Sequence, residues 1–205
     1  MAEPMDMNVG VFCGTRPGFR RQHVELARDF GAALAKRGIG LVYGAAGVGI
    51  MGAVADAAFN SGARVTGVIP ALLYELEGAS QVPGEIFIVD SMHKRKALMY
   101  DLSVGFAVLP GGFGTLDELL EVVTWNQLGI HEKPIVLVNN GGFFGPLLAM
   151  FDHLVIEGFL DPAHRALVQA APSIEAALDL IVPGTAADVT SMPASAAIPS
   201  TAGAT

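Results

Sequence analysis

The stretch VLPGGFGTLDELLEVVTW, residues 108–125, decides how the rest of the chain is read. It opens on apolar residues with strand character, breaks at Pro110-Gly111-Gly112, and continues in a helical pattern. A strand that turns through glycines into a helix is half of a β-α-β unit. The turn offers free backbone N–H groups and the positive end of a helix dipole, a natural seat for an anion. Asp117, Glu118 and Glu121 follow at once, and their charges would repel a phosphate seated there. Thr115-Leu-Asp-Glu118 has the spacing of a capping box, in which Glu118 reaches back to the Thr115 amide. Spacing alone favours the cap; the alternative is that Thr115 hydrogen-bonds a phosphate oxygen. Glu118 and Glu121 lie one turn apart, and two acids there exceed what a cap requires.

Outward from this stretch the same alternation recurs. Strands are expected at residues 8–13, 40–43, 64–69, 86–90, 105–109 and 134–138. Helices are expected at 20–37, from the second strand's glycines to near Gly62, at 92–102, to about 128, and at 143–158. Short apolar strands alternating with helices specify an α/β, three-layer Rossmann-like fold with a parallel sheet flanked by helices. At 205 residues this is one domain, expected over residues 1–182. Residues 183–205 are Ala, Pro, Ser and Thr without periodicity and read as a disordered tail.

Composition narrows the function classes. With 52% hydrophobic and 16% charged residues, the chain packs a core instead of remaining disordered. A net charge of -8 argues against nucleic acid as the partner, because phosphate backbones need clustered Lys and Arg. A small anionic ligand remains compatible if a few of the 12 basic residues converge on it. One cysteine, Cys13, permits no intramolecular disulfide, and no leader pattern opens the chain, so a cytoplasmic location is expected. Cys13 reads as buried packing. Residues 38–55 carry no charge, but six glycines and a change from strand-like to helix-like pattern argue against a membrane span.

A second glycine turn, YGAAGVGIMG at residues 43–52, contains G-x-G-x-x-G at Gly47, Gly49 and Gly52. A dinucleotide site also needs an acid at the end of the next strand to hold the ribose, and that strand ends Gly-Val-Ile-Pro. The glycines therefore serve either a close approach to a ligand or tight strand–helix packing. A third element, DSMHKRKALM at residues 90–99, puts Lys94, Arg95 and Lys96 just after a strand. A solvated helix face would explain them. Ligands of open parallel sheets sit at the carboxyl ends of strands, however, so Arg95 and Glu118 could share a pocket. No G-x-S-x-G and no metal-ligand spacing is present; His131-Glu132 runs into Lys133-Pro134 without a second histidine.

SMHKRK followed by LPGGFGTLDELLEVVTWNQLG resembles the paired signatures of the LOG ("Lonely guy") family, cytokinin riboside 5'-monophosphate phosphoribohydrolases. VFCGTRPG, LVYGAAGVGIMGAVADAA and LGIHEKPIVLVNNGGFFGPLLAMFDHLV extend the likeness over roughly residues 8–182. The resemblance implies hydrolysis of the N-glycosidic bond of a nucleoside 5'-monophosphate to free base and ribose 5-phosphate, with no cofactor and no metal. It implies Arg95 and Glu118 as the catalytic pair. Lys96, Gly112, Phe113, Gly114, Thr115, Leu116, Asp117, Glu121 and Thr124 fall in its substrate-binding set. A glutamate before the fourth strand belongs there too: Glu77, with Glu75 the other residue that fits. Homodimers are implied, and the helix bearing Trp125 and Leu128 could pack on the second copy.

One departure stands out. Family members carry three consecutive glycines after the tyrosine, where this chain has Gly44-Ala45-Ala46-Gly47, and the added methyl groups could narrow the nucleotide site or favour binding without cleavage. Bacterial relatives are often labelled possible lysine decarboxylases. That chemistry needs a Schiff-base lysine on pyridoxal phosphate, for which only Lys36, Lys94, Lys96 and Lys133 exist.

Overall fold

A computed structural model of the chain describes residues 7–77 and 82–184. Seven parallel strands run in the order β4-β3-β2-β1-β5-β6-β7: β1 Asn8–Phe12, β2 Gly40–Tyr43, β3 Val65–Pro70, β4 Glu85–Val89, β5 Gly105–Val108, β6 Ile135–Val138 and β7 Val168–Ala171. The helices are α1 Gln22–Lys36, α2 Gly49–Asn60, α3 Ala71–Glu77, α4 Met92–Asp101, α5 Phe113–Gln127, α6 Gly145–Ile156, α7 Pro162–Arg165 and α8 Ile174–Ile181.

Alternation along buried strands builds the three expected layers. Val9 and Val11 of β1 and Leu41 and Tyr43 of β2 face a core closed by Phe30 and Leu34 of α1, Val54 of α2 and Leu178 of α8. Phe12 and Val42 point the other way, with Phe106 and Val108, onto Met99 of α4, Leu119 and Val122 of α5 and Phe151 of α6. The edge strand β4 is the exception, since Ile88 is 53% exposed.

Four elements were not expected from sequence, the short α7 among them. Strand β7, Val-Gln-Ala-Ala, has one β-branched residue and pairs with β6, so tertiary pairing and not propensity makes it a strand. Helix α8 follows a Ser173 cap whose side chain accepts from the Ala176 amide. Helix α3 starts directly after Pro70, which is itself the last residue of β3. Of the expected tail, residues 185–205 lie outside the described residues.

The topology places the site. From β1 the chain moves through α1 to β2 on one side, and it returns from β4 through α4 to β5 on the other side of β1. The connections therefore diverge between β1 and β5, and a crevice opens outside their carboxyl ends. The loops leaving these two strands touch there: the Gly14 amide donates to the Pro110 carbonyl at 3.1 Å.

Candidate active site

A cleft of about 1020 Å3 occupies this crevice, at the upper end of the roughly 300–1,000 Å3 typical of small-molecule sites. Gly112 to Thr115, Asp117 and Glu118 form one wall and Arg95 another, so the opening stretch and the basic segment meet as expected.

Arg95 enters from α4, whose first turn is capped by Ser91 accepting from the Lys94 amide at 3.2 Å. Its guanidinium is buried against the carboxyl ends of two strands. Nε donates to the Val68 carbonyl at 3.1 Å, Nη2 to the Gly44 carbonyl at 3.2 Å, and Nη1 meets the Met92 sulfur at 3.3 Å. Nη2 also stands 3.7 Å from Glu118 Oε1, a charge contact too long for a hydrogen bond.

Glu118 is only 6% exposed. Burial disfavours its charged form and pushes its pKa from 4.5 up to about 7; Arg95 pulls the other way, while Asp117 adds to the rise. A carboxyl that exchanges its proton near neutrality is suited to general acid–base work. Cys13, at the floor of the cleft, is driven the opposite way from reactivity: burial raises its thiol pKa, which keeps it protonated and inert.

The capping box does not form. Helix α5 starts at Phe113, two residues before Thr115, with Gly112 in the cap position. Thr115 Oγ1 is buried at the cleft wall with no hydrogen-bond partner among the described residues. Glu118 sits beside Arg95 instead of reaching back to the Thr115 amide. The four glycine-turn residues start the helix earlier than the Ser/Thr-x-x-Glu pattern suggests, and this frees both side chains for a ligand.

Not every expected binding residue reaches the cleft. Leu116, Lys96, Glu121 and Thr124 do not line it. Lys96 Nζ is held 3.1 Å from both Asp117 and Glu121, joining α4 to α5 beside the Arg95–Glu118 pair. Thr124 donates to the Leu120 carbonyl on the exposed side of α5. The side chain of Glu77 lies outside the described residues, and Glu75 does not line the cleft.

The G-x-G-x-x-G turn resolves in favour of packing. At Gly49, φ is +63°, and a Cβ there would collide with the Thr15 carbonyl, so α2 begins pressed against the β1–α1 loop. Ala45 also adopts a left-handed conformation, with φ at 58°, and its methyl is fully buried against Gly67. The expected narrowing therefore falls to Ala46 alone, which does line the cleft.

The β1–α1 loop supplies what the sequence reading did not nominate. Arg16, Phe19 and Arg20 line the cleft, as does Phe143 from the β6–α6 loop. The signal was available: residues leaving the carboxyl end of the central strand belong to the crevice in any open parallel sheet. None of the four lysines lines the cleft. Lys96 is engaged as above, Lys133 donates to the Tyr100 carbonyl, and Lys94 pairs with Asp90.

Residues 51–181 match the family model described as possible lysine decarboxylase. The chain is 44% identical to a cytokinin riboside 5'-monophosphate phosphoribohydrolase of Rhodococcoides fascians, over 88% of this chain and 91% of that one. It is 46% identical to the enzyme of the same name from Arabidopsis thaliana, over 80% and 76%. Among solved structures, it is similar to the molybdenum cofactor binding protein of Rippkaea orientalis, with a TM-score of 0.63 at 20% identity, covering 87% of this chain and 97% of that one. The carrier protein for that cofactor from Chlamydomonas reinhardtii also gives 0.63, at 18% identity over 84% and 93%. At such identities these two speak to the fold alone. The sequence matches and the paired Arg95 and Glu118 segments agree, and the chain belongs to the LOG family.

Proposed function

We propose that the chain hydrolyses the N-glycosidic bond of a nucleoside 5'-monophosphate, a cytokinin riboside 5'-monophosphate or AMP, to free base and ribose 5-phosphate. The observation that carries this reading is Glu118: a buried carboxyl with a pKa near 7, beside Arg95, on a helix whose amino end opens into the same cleft. The relatives' names support the substrate class.

At 1.5 Å rise per residue, Glu118 lies roughly 7 Å along α5 from Phe113. That is comparable to the span between phosphorus and C1' in a nucleotide. The phosphate then meets the free amides of the helix start while C1' stands at Glu118. As the C1'–N bond breaks, its electron pair leaves with the base and positive charge develops on the ribose. The Glu118 carboxylate stabilises that charge and takes a proton from the attacking water, whose oxygen bonds C1'. The proton then passes to the departing base nitrogen. Arg95, fixed by two carbonyls, orients Glu118 and keeps part of its charge available.

The unit is a single domain acting in the cytoplasm on a small-molecule nucleotide, without nucleic acid or membrane as partner. No helix among the described residues is long and apolar enough to cross a membrane. The exposed side of α5 presents Leu120 and Leu128 beside Asp117 and Thr124, a surface suited to a homodimer in which Lys96, Glu121 and Thr124 would lie at the seam. Incubating purified protein with AMP and N6-prenylated AMP, and separating the products by chromatography, tests the reading: base and ribose 5-phosphate should appear in equal amounts. Tight nucleotide binding with no products would favour a sensing module instead. The burial of the Ala45 methyl removes one reason to prefer that alternative.

A further inference from the structure

A phosphate dianion placed at the start of α5 creates an electrostatic problem that the helix end alone does not solve. Asp117 and Glu118 line the same cleft, and each repels the phosphate. A helix N-terminus contributes only about half a positive charge. Arg95 and Lys96 cannot make up the difference, because Arg95 is committed to Val68, Gly44 and Glu118, and Lys96 to Asp117 and Glu121.

The β1–α1 loop, which lines the cleft next to the β5–α5 turn, carries the missing charge. Arg16 and Arg20 stand on the β1–α1 loop, both line the cleft, and neither has an ion-pair partner among the described residues. In a protein of net charge -8 with 12 basic residues, two cations left without carboxylates at one lip call for a ligand. The loop that bears them is anchored on both sides. The Gly14 amide donates to the Pro110 carbonyl at 3.1 Å, and the Met51 amide donates to the Gly14 carbonyl at 3.0 Å. A Cβ at Gly111 would strike the Gly14 amide nitrogen as well as Thr115, so the β5–α5 turn closes directly against this loop. Thr115 Oγ1 is a second, independent pointer: it is a hydroxyl in a residue only 3% exposed, at the cleft wall, and it lacks a partner among the described residues.

We infer that Arg16 and Arg20 form a phosphate clamp together with the α5 amides and Thr115, and that they set the requirement for a phosphorylated over an unphosphorylated ribosyl ligand. Two guanidinium charges offset the two phosphate charges, so the phosphate can sit one helix turn from Glu118 without driving that carboxylate and its own charge apart. The clamp rests on the nucleotide reading of this cleft for its biological ligand, but its chemistry requires only a sugar phosphate.

The test uses ribose 5-phosphate as the probe, with the intact chain. Calorimetric titration of Arg16→Gln/Arg20→Gln should show ribose 5-phosphate binding weakened about 30- to 100-fold, as expected for loss of two charge-assisted contacts. KM for AMP should rise by a similar factor while kcat stays within about threefold. The melting temperature should hold, since neither arginine pairs with the described protein. The single variant Arg20→Glu should weaken binding at least tenfold on its own. Ribose 5-phosphate binding within twofold of wild type in the double variant would overturn the clamp, as would failure of the wild type to bind this probe. Arg-dependent binding without turnover of any nucleotide would leave the clamp standing and remove the hydrolase reading.

Discussion

The Arg95 guanidinium occupies the space that a side chain at position 44 would fill. Nη2 donates to the Gly44 carbonyl, and a Cβ built on Gly44 would overlap the same nitrogen. The glycine after Tyr43 therefore makes room for the arginine contributed by α4, two connections later in the chain. Gly44→Ala should expel the guanidinium from its two carbonyls and leave Glu118 without its orienting charge. Activity is expected to fall on the order of 100-fold or more, with a stability loss of about 1–3 kcal/mol for the unmet carbonyls. Steady-state kinetics and thermal melting check both. Unchanged kcat in the alanine variant would show that the guanidinium works from another position.

Glu118 sets the pH dependence. If it acts as the carboxylate that accepts a proton from water, kcat/KM should rise through about pH 7 and level above it. A rate that falls as pH rises through 7 would instead make Glu118 the proton donor in its resting state.

The same residue costs stability. The folded protein keeps the Glu118 proton up to about pH 7, whereas the group's ordinary value is 4.5, so the native state binds more protons between those values. The contribution of Glu118 to stability therefore falls as pH rises from about 4.5 to about 7 and stays low above that. Glu118→Gln removes this destabilisation and should melt above wild type at pH 8, by an amount on the order of a few kcal/mol. The gap should close near pH 5. A variant that melts below wild type at pH 8 would contradict the buried, charge-averse setting of this carboxyl.

Lys96 bridges Asp117 and Glu121, the two carboxylates flanking Glu118 in sequence. Lys96→Met should leave their charges uncompensated and raise the Glu118 pKa further. The acid limb of the pH–rate profile should move upward, by roughly half a unit to one unit given partial solvent screening. An unmoved limb with a raised KM would mean that Lys96 touches substrate instead.

The two alanines of the first glycine turn should behave differently. Ala45 is in a left-handed conformation that costs roughly 1–2 kcal/mol, but its buried methyl returns about 0.8 kcal/mol and Gly has greater freedom when unfolded. Ala45→Gly is expected to change stability by less than about 1 kcal/mol and to leave kinetics alone. Ala46→Gly opens the cleft wall and should shift KM between AMP and its prenylated form. Equal kinetic effects of the two substitutions would contradict this division.

Much of the fold was legible because the central strands are short, apolar and bounded by glycine or proline, as in Gly105–Val108 and Ile135–Val138. Val168–Ala171 was not, because its strand state comes from pairing with β6 and not from its own residues. At the site, spacing alone favoured Thr115 as a cap. Where a helix starts depends on the backbone of a glycine-rich turn, which residue pattern does not specify, and the actual start at Phe113 reassigns both Thr115 and Glu118. The approach of Arg95 to Glu118 followed from the parallel-sheet rule, but their 3.7 Å separation depends on carbonyls of β3 and the β2 turn that no local pattern identifies. Arg16 and Arg20 were overlooked because a loop without periodicity announces itself only through topology.

The most direct test of the central claim is product release from AMP and N6-prenylated AMP by wild-type protein and by Glu118→Gln, followed by chromatography at pH 8. Wild type should release base and ribose 5-phosphate one for one, and the glutamine variant should lose at least about a thousandfold in kcat while remaining folded. Undiminished cleavage by Glu118→Gln, or no cleavage by wild type, would contradict it.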